Sequence, residues 1–232
     1  DPNLGFWRDT HLMIKGDAVH LLGVVFQMDW YFVSGKTFQN VEKYLPPLDK
    51  TGNTPVQICS AGPDSDWASI MQAYFSAITK AKEHIYISTP YFMPNESILT
   101  AIKTAALSGV DVRIMIPHKS DSTIVYWSTL SYLTEMLEAG VKFYLYEKGF
   151  NHSKIIMVDS YFASIGTANM DIRSFEDNFE VSAFIYDNGF AKELESQFHK
   201  DLLDCKLITL HTWERRPFIN GLKESVARLF SP

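Results

Sequence analysis

The sequence predicts an α/β fold in which a mixed, largely parallel sheet is flanked by helices. Two observations lead to this fold class. From Pro55 onward, short runs rich in β-branched and aromatic residues alternate with longer stretches of helical periodicity. The composition, with 46% apolar and 21% charged residues in a chain of 232, is that of an ordinary globular protein with a sizeable core.

The predicted strands are short apolar or alternating runs bounded by turn residues. They lie at Val56–Cys59, His84–Ser88, Val110–Ile116, Val141–Leu145, Lys154–Val158 and Phe179–Tyr186. The predicted helices lie at Asp66–Lys82, Asn95–Ser108 and Thr123–Ala139, the last ended by Gly140. A short amphipathic helix at Pro217–Phe230 is predicted to pack against the core rather than to anchor the chain in a membrane.

An internal repeat predicts the domain organisation. Asp9–Ile14 resembles Glu180–Ile185, since an acidic residue opens an apolar strand in both and a helix follows. We therefore expect residues 1–37 to be the remnant strand and helix of a first lobe and residues 55–232 to be a second lobe. The proline- and turn-rich residues 38–54 form the linker between them. Glu180 follows His152 by 28 residues, so the equivalent histidine of the first copy would precede residue 1.

Composition and charge disfavour several classes of protein. Two cysteines without metal-ligand spacing indicate reduced thiols, and a net charge of −6 without a basic block disfavours nucleic acid as a partner. No apolar run approaches the roughly 18 residues needed to span a bilayer. We expect the chain itself to be soluble.

One motif carries the chemistry. It consists of His152, Ser153, Lys154, Asp159, Gly166, Thr167, Ala168 and Asn169. If the motif lies on strands, His152 and Lys154 share one face because side chains alternate with period two, and Asp159 points to the other face. By the same parity Thr167 pairs with Asn169 on a second strand, and Glu180 faces the same pocket from a third.

A phosphodiester in that pocket needs a nucleophile and groups that hold the phosphoryl charge. We predict His152 as nucleophile, with Lys154, Thr167 and Asn169 binding the phosphate and Glu180 fixing the histidine tautomer. Asp159 completes the predicted catalytic set, and from the opposite face it would order the backbone or pair with a cation. No His, Cys and acidic residues have metal-ligand spacing, so we expect no metal or other cofactor.

The motif resembles that of the phospholipase D superfamily, and the wider sequence is most similar to the bacterial cardiolipin synthases. The similar segments are Gly5–Leu12, Thr89–Pro94, Gly166–Phe175 and Arg228–Pro232, and the resemblance covers essentially the whole chain. It implies two phospholipase D-like lobes that share one site, preceded by membrane-spanning helices. This chain resembles the C-terminal half, with the first motif lacking.

The resemblance implies a phosphatidyltransferase that makes cardiolipin from two phosphatidylglycerols through a phosphohistidine, at the cytoplasmic face of the cell membrane. Its partners would be phosphatidylglycerol, the membrane surface and the N-terminal lobe, and the isolated chain would be inactive. Which lobe supplies the nucleophile stays open, so His152 is alternatively the general acid. Tyr91, Phe92 and Lys119 are candidates for lining the site or, equally, for core and loop positions.

Two other functions remain open at this point. The first is a phosphodiesterase or nuclease that pairs two copies of the motif across a two-fold axis. The second is a half-lobe that only docks a partner or a membrane surface.

Overall fold

A computed structural model describes residues 4–45, 47 and 52–229. Its helices are α1 (Ala18–Ser34), α2 (Ser69–Lys80), α3 (Glu96–Leu107), α4 (Thr123–Ser131), α5 (Leu133–Glu138), α6 (Ile172–Glu176), α7 (Asn188–Leu202), α8 (Leu210–Glu214) and α9 (Phe218–Arg228). Its strands are β1 (Phe6–Arg8), β2 (Val56–Ala61), β3 (His84–Ser88), β4 (Phe92–Met93), β5 (Asp111–Pro117), β6 (Lys142–Tyr146), β7 (Gly149–Asn151), β8 (Ile155–Val158), β9 (Phe162–Gly166), β10 (Met170–Asp171), β11 (Glu180–Tyr186) and β12 (Cys205–Ile208).

Eight strands form one sheet in the order β12-β6-β5-β3-β8-β9-β11-β2. The predicted mixed sheet flanked by helices is confirmed, but its largely parallel character is wrong. Only β3 with β5 and β5 with β6 pair in parallel, and the other five junctions are antiparallel. The reason is the hairpin of β8 and β9, in which a tight turn reverses the chain directly after β8.

The sheet separates two apolar layers because successive side chains point to opposite faces. Ile85 and Ile87 of β3 pack under α2, α3 and α5, whereas Tyr86 between them faces α7. Tyr86 stacks on Phe198 of α7 with ring centroids 5.2 Å apart. Both faces of the central strands are therefore buried, which explains their nearly continuous apolar sequences.

The N-terminal copy of the repeat is only partly built as predicted. Its helix forms as α1, but Asp9–Ile14 is not a strand. From Arg8 to Asp17 the side chains still alternate between half-buried and exposed, as in an extended segment lying on a surface. In the second copy β11 is paired on both sides by β2 and β9, and among the described residues Asp9–Ile14 has no such ladder.

Two predicted helices differ from expectation. Thr123–Ala139 is divided into α4 and α5 at the buried Tyr132. The C-terminal helix forms as α9 and packs on α4, but its large apolar side chains are exposed rather than packed on the core. In the described part of the chain no helix is long and apolar enough to cross a membrane. Pro46, residues 48–51 of the predicted linker and Phe230–Pro232 lie outside the described residues.

Asp159 lies in the turn between β8 and β9 and fastens it to the start of β3. Its carboxylate accepts hydrogen bonds from the backbone N–H groups of Lys82, Glu83 and His84 at 2.8, 2.8 and 2.9 Å. Partial burial raises the pKa of Asp159, but the three amides outweigh this and hold the pKa below its ordinary value of 3.8. The carboxylate thus orders the backbone at one end of β8, whereas Lys154 lies at the other end.

We predict that Asp159→Asn lowers the free energy of unfolding by roughly 1–3 kcal/mol, because the new NH₂ group would face backbone donors. Since the folded pKa is below the unfolded one, the stabilisation is present at neutral pH and is lost as pH falls through the folded pKa. Denaturant unfolding at several pH values would measure it. Glu193→Gln, an exposed carboxylate on α7, is the matched control, and equal stability of the two variants would contradict the prediction.

Candidate active site

The motif histidine is placed by strand pairing with the N-terminal segment. His152 follows β7, which pairs in parallel with β1. A Cβ at Gly149 would lie 2.1 Å from the carbonyl oxygen of Phe6, so only glycine allows the two backbones to approach this closely. Beyond the ladder, the backbone N–H of His152 donates to the carbonyl of Arg8 at 2.9 Å.

The ring of His152 is held by a carboxylate and two aromatic side chains. Its Nδ1 lies 3.0 Å from Oδ1 of Asp9. The ring centroids of Trp7 and Phe150 are 5.1 and 5.7 Å away. A carboxylate at Nδ1 selects the tautomer with the proton on that atom and leaves the lone pair on Nε2. The imidazole is therefore oriented as a nucleophile or proton acceptor.

This arrangement corrects the role predicted for Glu180. Its Oε2 accepts a hydrogen bond from the hydroxyl of Thr167, and its Oε1 accepts one from Asn178 at 3.3 Å, so it does not orient His152. Asp9 fills that role instead, although the motif pattern does not include it. A signal existed, because Asp9 is the residue that the repeat matches with Glu180.

Lys154 lies beside His152 at the start of β8. Its Nζ donates to the carbonyl oxygen of His152 at 2.7 Å. Burial lowers the pKa of Lys154 to about 8, and the nearby carboxylates of Asp9, Glu180, Asp171 and Asp121 only partly offset it. The ammonium is therefore a desolvated cation that an added anion would stabilise.

Gly166 is the last residue of β9, and Thr167 lies just beyond it rather than on a strand with Asn169 as predicted. At Gly166 a Cβ would lie 2.6 Å from both the Cα of Ser182 and the carbonyl oxygen of Val181, so glycine is required for β9 to pair with β11. Thr167 follows, and its hydroxyl accepts from the N–H of Val181 at 3.0 Å while donating to Glu180. Thr167 and Glu180 line a cavity of about 200 Å³ beside α1.

Asn169 lies in the turn between β9 and β10. Its Oδ1 is buried and has no hydrogen-bond partner among the described residues. Because amide oxygen and nitrogen are assigned from hydrogen bonding, the unpartnered atom marks an amide available to a ligand in either orientation. The ladder between β10 and β4 fixes the backbone on its C-terminal side.

The three residues considered for lining the site, Tyr91, Phe92 and Lys119, have different environments. Phe92 is fully buried and packs edge-to-face on Phe143 at 5.5 Å, so it belongs to the core. Tyr91 is half-buried and donates to Asp121 at 2.7 Å. Lys119 is an exposed loop residue. Among the described residues no group of three or more His, Cys, Asp or Glu side chains could hold a metal ion.

The structure thus brings His152 and Lys154 together, and Glu180 contributes to the electrostatic environment of Lys154. Asp159 lies at the other end of β8, away from both. Together with Asn169, His152 and Lys154 offer an oriented imidazole, a half-buried cation and an unpartnered amide. Such a set can attack or protonate one side of a phosphodiester and hold its charge. A group for the opposite side of phosphorus would have to come from another lobe or chain.

Comparison with known proteins gives consistent results for the family. A family model described as cardiolipin synthase, PLD-like domain, matches residues 74–202. The cardiolipin synthase of Geobacillus thermodenitrificans (strain NG80-2) is 49% identical over 233 residues, covering 100% of this chain and 46% of the relative. The major cardiolipin synthase ClsA of Bacillus subtilis (strain 168) is 47% identical over 233 residues, covering 100% of this chain and 48% of the relative. The chain spans about half the length of the curated relatives it matches.

Solved structures support the fold. Nuc from Salmonella typhimurium, a phospholipase D family member, matches 68% of this chain and 99% of its own, with a TM-score of 0.56 and 20% identity. The phosphatidylserine synthase of Haemophilus influenzae Rd KW20 matches 80% of this chain and 47% of its own, with a TM-score of 0.59 and 16% identity. At these identities the likeness concerns the fold alone.

The position of Lys154 generates a prediction about anion binding. We expect the chain to bind tungstate, a stable divalent anion, with an affinity that falls as pH rises through about 8, because the ammonium then loses its proton. The loss should approach about tenfold per pH unit. Isothermal titration calorimetry between neutral and alkaline pH would measure it.

Lys154→Arg should keep its affinity across this range, since a guanidinium stays charged. Lys192→Arg, at an exposed lysine of α7, is the matched control and should behave like the unmodified chain. An affinity for tungstate that stays constant to high pH in the unmodified chain would contradict the assignment.

Proposed function

The chain belongs to the family of cardiolipin synthases with a phospholipase D-like domain, and from this premise we propose that it supplies half of the active site of a phosphatidyltransferase. The proposed reaction makes cardiolipin from two phosphatidylglycerols through a phosphohistidine. The observation that carries the proposal is the pair formed by His152, oriented through Nδ1 by Asp9, and the half-buried Lys154 beside it.

The reaction has two displacements at phosphorus. First, Nε2 of one histidine bonds to the phosphorus of phosphatidylglycerol, and the bond between phosphorus and the oxygen of the headgroup glycerol breaks. A second histidine protonates that oxygen, so that glycerol leaves. The second histidine then takes the proton from a hydroxyl of another phosphatidylglycerol. That hydroxyl oxygen attacks phosphorus and releases the first histidine. His152 fills one of these two roles, and the equivalent residue of the N-terminal half fills the other.

The repeat suggests which carboxylate orients each histidine in this scheme. Asp9, from the segment assigned to the first copy, orients the histidine of the second copy. If the two copies are related by an approximate two-fold axis, Glu180 would orient the histidine of the N-terminal half in the same way. Two features support this exchange. Glu180 has Thr167 and Asn178 rather than His152 as its partners, and it lines a cavity beside α1.

Lys154, Asn169 and their equivalents would hold the negative charge that develops on the non-bridging oxygens. Thr167 would join them only after its hydroxyl is released from Glu180, which another partner for Glu180 would allow. These are side-chain donors, and the scheme routes no step through a metal ion. Activity should accordingly persist in the presence of a chelator.

The second candidate is a phosphodiesterase or nuclease formed by two copies of this chain. One observation favours it, because 68% of this chain aligns with 99% of the Nuc chain, so a single lobe makes up nearly all of that protein. The net charge of −6 is unfavourable for a polyanionic substrate. The relatives in which this chain is about half of the length favour the first candidate.

We predict that His152→Ala and Lys154→Ala each lower cardiolipin formation by about three orders of magnitude or more when the chain is fused to the N-terminal half of the Bacillus subtilis relative. The measurement is mass spectrometry of products from phosphatidylglycerol vesicles, with EDTA present and absent. Circular dichroism should show an unchanged fold. A variant of either residue that retains about a tenth of the activity would contradict the proposal.

Asp9→Asn in the same fusion should lower turnover by roughly 10²–10⁴-fold, because an amide no longer selects one tautomer of His152. Asp9→Glu should restore part of the rate and the original pH profile, which a merely structural role would not require. Asp17→Asn, an exposed residue of the same segment, is the control.

The chain alone should form no measurable cardiolipin, because it provides groups for only one side of phosphorus. Activity should appear when the N-terminal half of the relative is added in trans to the unmodified chain. It should not appear when the same half is added to the His152→Ala chain. Sedimentation should be run alongside. Turnover of phosphatidylglycerol or single-stranded DNA by a two-fold dimer of the chain would favour the second candidate.

A further inference from the structure

Helix α9 exposes its large apolar side chains and directs Glu224 inward. The exposed fractions are 90% for Phe218, 52% for Ile219, 52% for Leu222, 47% for Val226 and 83% for Leu229. All but Ile219 recur every three or four residues, and Ile219 lies next to Phe218, so together they form one stripe along the helix. We call this set the α9 stripe.

The orientation of α9 is fixed by the contacts on its other side. Glu224 is buried and receives two hydrogen bonds from Arg216, at 3.0 and 2.8 Å. Lys223 lies over the ring of Trp127 at 4.8 Å, and Arg228 lies over the ring of Tyr132 at 4.3 Å. Turning the stripe inward would separate Glu224 from the half-buried Arg216 and break the ring contacts, so the exposure of the stripe is specified by the sequence.

We propose that the α9 stripe inserts into the surface of an anionic phospholipid bilayer. The first argument is size. Helix α9 has 11 residues and is about 16 Å long, far shorter than a membrane span of about 20 residues. Insertion of one face at the lipid interface does not need a spanning length.

The second argument is charge. From Leu210 to Leu229 the chain has four basic residues and two acidic ones, although its net charge is −6. Lys223 and Arg228 lie at the borders of the helix with their charged groups over aromatic rings. Arg228 also pairs with Glu135 at 3.3 Å, whereas Lys223 is exposed and can reach lipid headgroups while the apolar face inserts. Arg215 is exposed just before the helix. An apolar stripe with basic borders fits an anionic lipid surface.

The third argument is position, and it rests on the proposed function. Helix α9 packs on α4, which begins just after Asp121. Asp121 accepts a hydrogen bond from Tyr91 and contributes to the electrostatic environment of Lys154. Helix α4 therefore joins the proposed lipid-binding helix to a residue in the electrostatic environment of the proposed phosphate site. The lipid proposed to contact the α9 stripe and the proposed substrate are both anionic phospholipids.

The test is flotation of the 232-residue chain with vesicles of phosphatidylcholine alone and of phosphatidylcholine mixed with phosphatidylglycerol. We expect binding to the anionic vesicles, and a loss of about tenfold or more in the double variant Leu222→Ser with Val226→Ser. The matched control is Leu107→Ser with Leu203→Ser, at side chains that are 73% and 86% exposed at the ends of α3 and α7. Equal binding by the α9 variant and the control, or no binding by the unmodified chain, would overturn the proposal.

A local probe separates α9 from the apolar side chains that α1 also exposes. An environment-sensitive dye on Phe218→Cys, with Cys59 and Cys205 replaced by Ser, should shift to the blue with anionic vesicles, and the same dye on Leu203→Cys should not. A shift at position 218 on adding the N-terminal half of a relative without lipid would assign the stripe to a protein contact and overturn the proposal. The His152→Ala chain should bind vesicles normally, so failure of docking and failure of the proposed chemistry are distinguishable.

Discussion

The geometry of the site depends on a backbone ladder between two segments that are 143 residues apart. Pairing of β1 with β7 places the carbonyl of Arg8 on the N–H of His152 and the carboxylate of Asp9 on its ring. The guanidinium of Arg8 holds the same segment on α7 through an ion pair with Asp201 at 2.9 Å. A side chain at Gly149 would prevent the ladder, and the imidazole would then lose its orienting groups together.

Much of the fold could be predicted because buried strands have apolar sequences with little ambiguity. The bounds of β3 were predicted to the residue, and those of β5, β6 and β8 to within one residue. The sheet's antiparallel character could not be read in the same way, since strand direction depends on which strands are neighbours. The short turn at Asp159 reversed the chain where the alternation of strands and helices indicated crossovers.

The site shows the same division between local pattern and distant pairing. The motif predicted His152 and Lys154 as site residues. Parity predicted Asp159 on the opposite face of their strand, but Asp159 is separated from them because it lies in the turn after β8. Parity also placed Glu180 at the end of the sheet where the site lies. It does not show whether Asp9 or Glu180, which the repeat makes equivalent, contacts the ring of His152. Helix α9 is a parallel case, because a two-faced pattern does not reveal which face is inward. The buried pair of Arg216 and Glu224 decides it, and that pair is visible only in three dimensions.

The burial of Lys154 and the exposure of Asp9 together link lobe assembly to substrate binding. Burial already lowers the pKa of Lys154, and a covering lobe would desolvate the ammonium further and disfavour its charge. The side chain of Asp9 is 60% exposed, so the same covering would strengthen its attraction for the His152 ring by lowering the local dielectric constant. In the proposed assembly, a phosphodiester between the lobes would supply the negative charge that restores the ammonium. Binding of the anion and closure of the second lobe should therefore favour each other, and the site would reach its full electrostatic strength only when both are present.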